Sequence, residues 1–285
     1  MIERVILFHC ASMAVPRRVL VADGGWAMVD LPFMGALLEH RERGPILIDA
    51  PFGWEGPSNL GSMVGGLLVQ AGLSFREAWS VVPRVEAQGY GAADVEHVLM
   101  THLHYDHTGG MKSLPYATYH LSFEEWEAAR RGSGASAMAQ GYLQRDYLSL
   151  KPRIKRHRGV PKLGDGVAGH DVFGDGSVEM VALPGHTEGH CGYRVHREHG
   201  APLFFVGDAV FTREQLDDEG LGIMPRTVAA DLNMAELTIR QLKRYRADHP
   251  QEILIASHDL EWGRRCLSEG MVVFESGDPG ADKVR

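Results

Sequence analysis

Short apolar runs punctuated by glycine, proline and paired polar residues fill the first fifty positions. Val5–Phe8, Arg18–Ala22, Trp26–Leu31, Gly35–His40 and Pro45–Asp49 read as strands, with Gly24-Gly25 and Glu42-Arg43-Gly44-Pro45 as the turns between them. Strands joined by turns this short pair antiparallel. Over residues 51–90 the pattern loosens, and apolar positions at helical spacing predict helices over Ser62–Ala71 and Phe75–Glu86. Val95–Thr101 is an apolar run of the fully buried type, and Tyr116–His120 is a further short strand. Ser122 with Glu125 three residues on forms a capping box, opening a helix that passes Arg130 and stops at Gly132 and Gly134. Residues 132–170 predict loop and a broken helix over Met138–Leu148, with His157 and His170 as packing or solvated side chains. Strands resume at Ser177–Leu183, Gly192–Arg197 and Leu203–Val206, followed by a polar loop over 213–230. Asn233 is the expected cap of a helix over Met234–Arg246, and Glu252–Ala256 is a last buried strand running into Ser257-His258-Asp259. No repeat or long linker divides the chain, so residues 1–285 are expected to form one domain.

Behind the Val95–Thr101 strand stands the densest chemistry in the sequence: Thr-His-Leu-His-Tyr-Asp-His-Thr-Gly-Gly at 101–110. Chance would produce such a run roughly two times in a thousand, so a His-rich surface loop is the weaker reading. Imidazole and carboxylate are the donors that hold zinc and neighbouring first-row cations. Alternation along an extended segment lets His102, His104 and Asp106 share a face, while His107 aims elsewhere. Gly109 and Gly110 permit a sharp turn, and ligands presented in two directions suggest two metals.

Three other positions follow the same design. His186 comes after Val181-Ala182-Leu183-Pro184-Gly185, Asp208 after Leu203–Gly207, and His258 after Ile253–Ser257. Strand ends cluster along one sheet edge, so these regions can converge on the 101–110 loop. Seven donors suit two cations: three histidines for one, two histidines and a carboxylate for the other, and one carboxylate between them. A pair of ions ~3.5–4 Å apart can share a water, lower its pKa and polarise a carbonyl, which fits hydrolysis of an ester, lactone, thioester, amide or phosphodiester.

Composition narrows the field. The 285 residues carry a formal net charge of −8, against the basic excess of a nucleic-acid binder. No apolar run reaches the ~20 residues of a membrane-spanning helix. The apolar stretch Val5–Val15 is interrupted by His9 and is read as a strand rather than a secretion signal. Cys10, Cys191 and Cys266 are odd in number and lack metal-type spacing, which points to free thiols and a cytoplasmic setting.

His-x-His-x-Asp-His followed by a later His, Asp and His at strand ends resembles the metallo-β-lactamase superfamily, over about residues 26–262. The resemblance implies an α/β four-layer sandwich (αβ/βα), two mixed sheets face to face with helices outside and metals at one edge. It implies His102, His104 and His186 for the first metal, Asp106, His107 and His258 for the second, and Asp208 bridging. Leu-Pro-Phe near residue 31, Leu37–Asp49, Pro-Gly-His-Thr-Glu-Gly-His at 184–190, Gly-Asp-Ala at 207–209 and Ser-His-Asp at 257–259 are most similar to the N-acyl homoserine lactonase branch. His190, within the fourth of these, reads as structural.

Two departures stand out. Members of that branch have a tyrosine three residues after the bridging aspartate, where this chain has Phe211, and Asp49-Ala50-Pro51 replaces a common Asp-Thr-Gly. Tyr105 is a nearby phenol, but strand alternation directs it away from its neighbours. The implied activity is a dinuclear metal-dependent hydrolase, opening a lactone or cleaving a carboxylic ester by attack of metal-bridging hydroxide. Asp106 would pass the proton to the leaving alkoxide. The implied cofactors are two zinc ions, with iron or manganese as substitutes, and the implied partner is a small lactone or ester. No nucleic acid or membrane partner is expected, and a homodimer is plausible from the resemblance. The alternatives are a thioester hydrolase of the hydroxyacylglutathione kind, disfavoured because only 27 residues follow His258, and a non-hydrolytic di-iron protein. Trp26, Phe33, Trp54, Met63 and Phe211 are candidate pocket residues.

Overall fold

A computed structural model describes residues 1–56, 70, 72–164, 168–217 and 220–275. Its strands are β1 (Ile2–Pro16), β2 (Met28–His40), β3 (Gly44–Ile48), β4 (Leu73–Phe75), β5 (His97–Leu99), β6 (Thr118–Ser122), β7 (Ile154–His157), β8 (His170–Asp171), β9 (Val178–Ala182), β10 (Cys191–Val195), β11 (Leu203–Gly207), β12 (Ile253–Ala256) and β13 (Met271–Glu275). The α-helices are α1 (Val81–Glu86), α2 (Tyr105–Thr108), α3 (Phe123–Ala129), α4 (Ala135–Met138), α5 (Ile223–Val228), α6 (Leu232–Asp248) and α7 (Leu260–Glu269).

Two mixed sheets carry the fold. One runs β13-β1-β2-β3-β5-β6-β7, with β4 on β1, and the other β12-β11-β10-β9-β8. The expected antiparallel start is present in β1–β2–β3, and β3, β5, β6 and β7 then pair in parallel. Alternation decides the layers. On β1, Val5 and Leu7 enter the core between the sheets, while Ile6 and Phe8 face an outer core with Val81, Val85 and Trp126. On β11, Leu203 and Phe205 point inward, and Phe204 and Val206 pack outward with Ile239 and Leu242 of α6. Both sheets are therefore apolar on both faces, and the order helix, sheet, sheet, helix follows. Among the described residues no helix is long and apolar enough to cross a membrane.

Several boundaries differ from the sequence reading. Trp26–Leu31 and Gly35–His40 belong largely to one strand, because Pro32 breaks no ladder bond that β1 needs there. Arg18–Ala22 is a 3₁₀ turn over Arg17–Val19, held by the Leu20 and Val21 N–H groups on the Arg17 carbonyl. Phe75–Glu86 divides into the end of β4, a 3₁₀ turn over Glu77–Trp79 and α1. Asp231, not Asn233, caps α6, accepting from Met234 N–H. The helix predicted over Ser62–Ala71, with Met63, lies apart from Gln70 outside the described residues.

His157 and His170, read as packing or solvated residues, belong to a chain of imidazoles. His97 Nδ1 meets His120 Nε2 at 3.2 Å, His120 Nδ1 meets His157 Nε2 at 3.1 Å, and His157 Nδ1 meets His170 Nε2 at 2.9 Å. The first three sit on β5, β6 and β7 and the fourth on β8, so the chain ties one sheet to the other. Burial, with help from neighbouring histidines and Lys155, lowers His120 to about 2 and His157 to about 4. An unfolded histidine takes up a proton near pH 6.5 that these folded ones refuse, so stability rises with pH between about 4 and 6.5. Denaturant midpoints measured across that window should fall on acidification. His157→Asn, which keeps one hydrogen-bonding edge, should flatten the slope at a cost of ~1–3 kcal/mol near neutrality.

Candidate metal centre

The C-terminal ends of β3, β5, β9, β11 and β12 open onto one edge of the sandwich, and the predicted side chains gather there. His102, His104 and His186 form one group; Asp106, His107, Asp208 and His258 form a second, and all seven are buried or nearly so. His186 Nε2 stands 3.2 Å from His102 Nε2 and 2.9 Å from His104 Nδ1. Asp208 lies between the groups: Oδ2 is 3.5 Å from His186 Nε2 and 3.3 Å from His258 Nε2, and Oδ1 is 3.3 Å from His107 Nε2. Asp106 Oδ2 completes the second group at 3.6 Å from His258 and 3.8 Å from His107.

The grouping corrects one detail of the alternation argument. Asp106 does not share a face with His102 and His104, because the extended segment ends at His104 and α2 begins at Tyr105. Rotation along that turn sends Asp106 and His107 together toward His258.

Hydrogen bonds behind the rings decide which nitrogens face inward. Asp49 Oδ2 accepts a hydrogen bond from His107 Nδ1–H at 2.8 Å, which turns His107 Nε2 toward the second group. The same carboxylate accepts from Thr101 N–H and Thr101 Oγ1–H, both at 2.8 Å. Thr101 Oγ1, its proton committed to Asp49, then accepts from His102 Nδ1 at 3.1 Å, which leaves His102 Nε2 bare. One carboxylate thus sets a tautomer in each group, as outer-shell carboxylates do in metal sites. Asp49 is held at φ +57°, a left-handed conformation that aspartate tolerates better than most residues. His258 Nδ1 donates to the Pro32 carbonyl at 2.7 Å, so the Leu-Pro-Phe stretch of β2 fixes His258. Asp259 caps α7 and pairs with Arg213, anchoring the backbone just past His258. The Gln140 carbonyl holds His104, whose ring lies against Gly141 at φ +86°; a Cβ there would fall 2.7 Å from His104 Cδ2. His190 stays outside both groups and accepts from Asp208 N–H at 3.0 Å, aiming that carboxylate.

Sequence reasoning missed Glu125, reading it only as part of a cap. Ser122 does accept from Glu125 N–H. The Glu125 side chain, however, turns inward and accepts from Leu103 N–H at 2.9 Å and Thr187 Oγ1 at 2.5 Å, with Tyr142 also bonded. It ties the His102–His104 loop to the His186 loop. A carboxylate on the inner face of an otherwise apolar helix turn (Trp126, Ala128, Ala129) was the available signal.

The electrostatics divide the two groups. Burial, aided by neighbouring imidazoles, holds His102 and His186 well below their ordinary range and His104 at about 4, so that trio is neutral. Burial also opposes charge on His107 and His258, but Asp49, Asp208 and Asp106 raise His107, and Asp208 with Asp106 raises His258. Those histidines in turn hold Asp208 well below the carboxylate range against its own burial. His107 Nε2 and Asp208 Oδ1 are buried without a conventional hydrogen-bond partner. Donors at ~2.0–2.1 Å from one tetrahedral ion stand ~3.3 Å apart, the spacing seen across both groups. Neutral imidazoles, bare nitrogens and an unsatisfied carboxylate oxygen fit a pair of divalent cations.

Above the seven donors lies a cavity of about 470 Å³. Met13, Leu31, Phe33, Phe211, Met224 and Val228 give it apolar walls, while His104, Asp106, His186, Asp208 and His258 lie on its floor. Of the predicted pocket residues, Phe33 and Phe211 line it, whereas Trp26 and Trp54 are exposed away from it. Tyr105 also lines it, contrary to the alternation argument, because the residue belongs to α2 rather than to an extended strand.

The profile of the metallo-beta-lactamase superfamily matches residues 36–256. The chain belongs to that superfamily. Among its curated relatives are N-acyl homoserine lactonases (AttM) of Agrobacterium fabrum, 29% identical over 62% of this chain and 63% of the relative, and of Azorhizobium caulinodans, 27% identical over 83% and 85%. The match thus spans just under two thirds of the first relative's length. A solved N-acyl homoserine lactone hydrolase, with N-hexanoyl-L-homoserine bound at its catalytic metal centre, superposes with a TM-score of 0.72, covering 93% of this chain and 97% of that one at 22% identity. That likeness bears on the fold, including the two-sheet sandwich expected from sequence.

The Asp49 network generates a prediction. Asp49→Ala releases the tautomers of His102 and His107 together, so both ions should bind ~10–100-fold more weakly, read by chelator competition against the unaltered protein.

Proposed function

We propose that this protein is a dinuclear metal-dependent hydrolase that opens the ring of N-acyl homoserine lactones or closely related lactones and esters. The observation that carries the reading is Asp208, a buried carboxylate facing a histidine of one group and two of the other beneath an apolar cavity. His102, His104 and His186 would hold one ion, Asp106, His107 and His258 the other, and Asp208 both. Zinc suits this imidazole-rich, thiolate-free set, and iron or manganese would bind the same donors. Two ions there supply Lewis acidity and lower the pKa of water.

The rest of the chemistry belongs to the chain. The apolar walls receive the acyl group and exclude water from it. Addition of water to the carbonyl carbon breaks the ring C–O bond, and one proton must reach the departing alkoxide. Asp106, the most exposed carboxylate of the set at 12% side-chain exposure, lies on the cavity floor, which supports it as the carrier of that proton. Arg131 is the lone lysine or arginine among the described lining residues and is clamped by Glu188 at 2.6 Å through both nitrogens. A glutathione thioester, with its free carboxylates, would find no uncommitted cationic receptor there. Buried free thiols at Cys10, Cys191 and Cys266 support a reducing, cytoplasmic setting.

Zinc-loaded protein assayed on acyl homoserine lactones, simple γ- and δ-lactones and aryl esters should turn over at least one class. Chelation should abolish that turnover, and added metal should restore it. Asp106→Asn should lower kcat by ~10²–10⁴, with elemental analysis separating lost metal from lost proton transfer. An absence of chelator-sensitive turnover across the whole panel would end this reading.

A further inference from the structure

Apart from the five donors on the cavity floor, most polar side chains of the lining are committed to a partner. Thr187 Oγ1 donates to Glu125 at 2.5 Å, and Tyr142 is bonded to the same carboxylate. Thr227 Oγ1 donates to the Met224 carbonyl at 2.9 Å, and Arg131 is held by Glu188. Gln140 is exposed at the mouth. Among the described residues, the half-buried phenol of Tyr105 is the lining hydroxyl left without a partner. Its position is set at both ends of the residue: Tyr105 N–H donates to the Gly141 carbonyl at 2.9 Å, and it stands between His104 of one group and Asp106 of the other.

Phe211 lines the same cavity and offers no donor. Its ring centroid lies 5.6 Å from that of His186 and 5.2 Å from that of His258, so it packs over one histidine of each group and fills the space with hydrocarbon. A carbonyl undergoing attack gathers negative charge on its oxygen, and a preorganised donor in a partly water-excluded cavity stabilises that charge more than the neutral ground state. We infer that Tyr105 is a catalytic residue whose phenol donates a hydrogen bond to the carbonyl oxygen of the bound lactone. The inference rests on the lactonase reading above and adds a donor that belongs to this chain's own arrangement of Tyr105 and Phe211.

Tyr105→Phe removes only the oxygen, which has no protein partner to lose, so thermal stability and metal content should match the parent. On any lactone that the parent opens, kcat should fall about 10- to 100-fold, somewhat less than the ~10²–10³ of a donor acting alone, with KM little changed. A second readout is independent of turnover. A γ-lactam of the same acyl chain keeps the ring carbonyl but resists opening, and its carbonyl stretching band, recorded by difference infrared spectroscopy on the metal-loaded protein, should move to higher frequency in Tyr105→Phe. Unchanged kcat and an unshifted band would reduce Tyr105 to a wall of the cavity and overturn the inference. Failure of the parent itself to open any lactone would instead reject the underlying activity.

Discussion

Buried imidazole nitrogens stripped of their protons and left facing one another are the constraint on which this structure depends. Three neutral rings meeting at 2.9 and 3.2 Å, beside a carboxylate oxygen that no donor satisfies, would be a costly cluster in an ordinary core. The cost is tolerable if cations supply the missing partners. The surrounding fold reads as a frame that prevents the cluster from relaxing. Asp49 fixes two rings, the Pro32 carbonyl a third, and the Gln140 carbonyl a fourth. The gathered side chains follow strands of both sheets, His102 to His107 after β5 and His186, Asp208 and His258 after β9, β11 and β12, so the cluster exists only when both sheets are assembled.

The two-sheet sandwich explains why so many separate segments can meet. Strands apolar on both faces must be covered on both, which stacks the sheets and drives the helices outward. The free edge left at the C-terminal strand ends is where polar residues can gather without breaking a core layer. Glu125 shows the same logic one step further out: a carboxylate pushed up to about 7 by burial, yet retained because it bridges two loops that carry histidines.

Much of this was legible in the sequence. Histidine and aspartate directly behind apolar runs mark strand ends, and that rule points to all seven gathered residues. What escaped has identifiable causes. Tyr105 and Asp106 read as strand positions because the four residues of α2 are too few for helical periodicity to register, and alternation then turns the phenol away from the cavity. Glu125 was hidden because a capping signature already accounted for it. Asp49 reads from sequence as a strand end and part of an unusual tripeptide, and its role stays hidden because it depends on a partner 58 positions away. The imidazole chain from His97 to His170 was invisible because it follows from the order of neighbouring strands, which spacing alone does not reveal. α7 and β13 lie beyond the elements expected from sequence, although Asp259 followed by Leu260-Glu261-Trp262 is a readable helix start.

The central claim is that two cations sit in one cage with Asp208 between them. Diffraction from metal-loaded crystals, collected on either side of the absorption edge, tests it most directly. The account predicts two anomalous peaks per chain, ~3.5–4 Å apart, one within bonding distance of His102, His104 and His186 and the other of Asp106, His107 and His258, with Asp208 touching both. A single peak, or peaks away from His186 and His258, would contradict it.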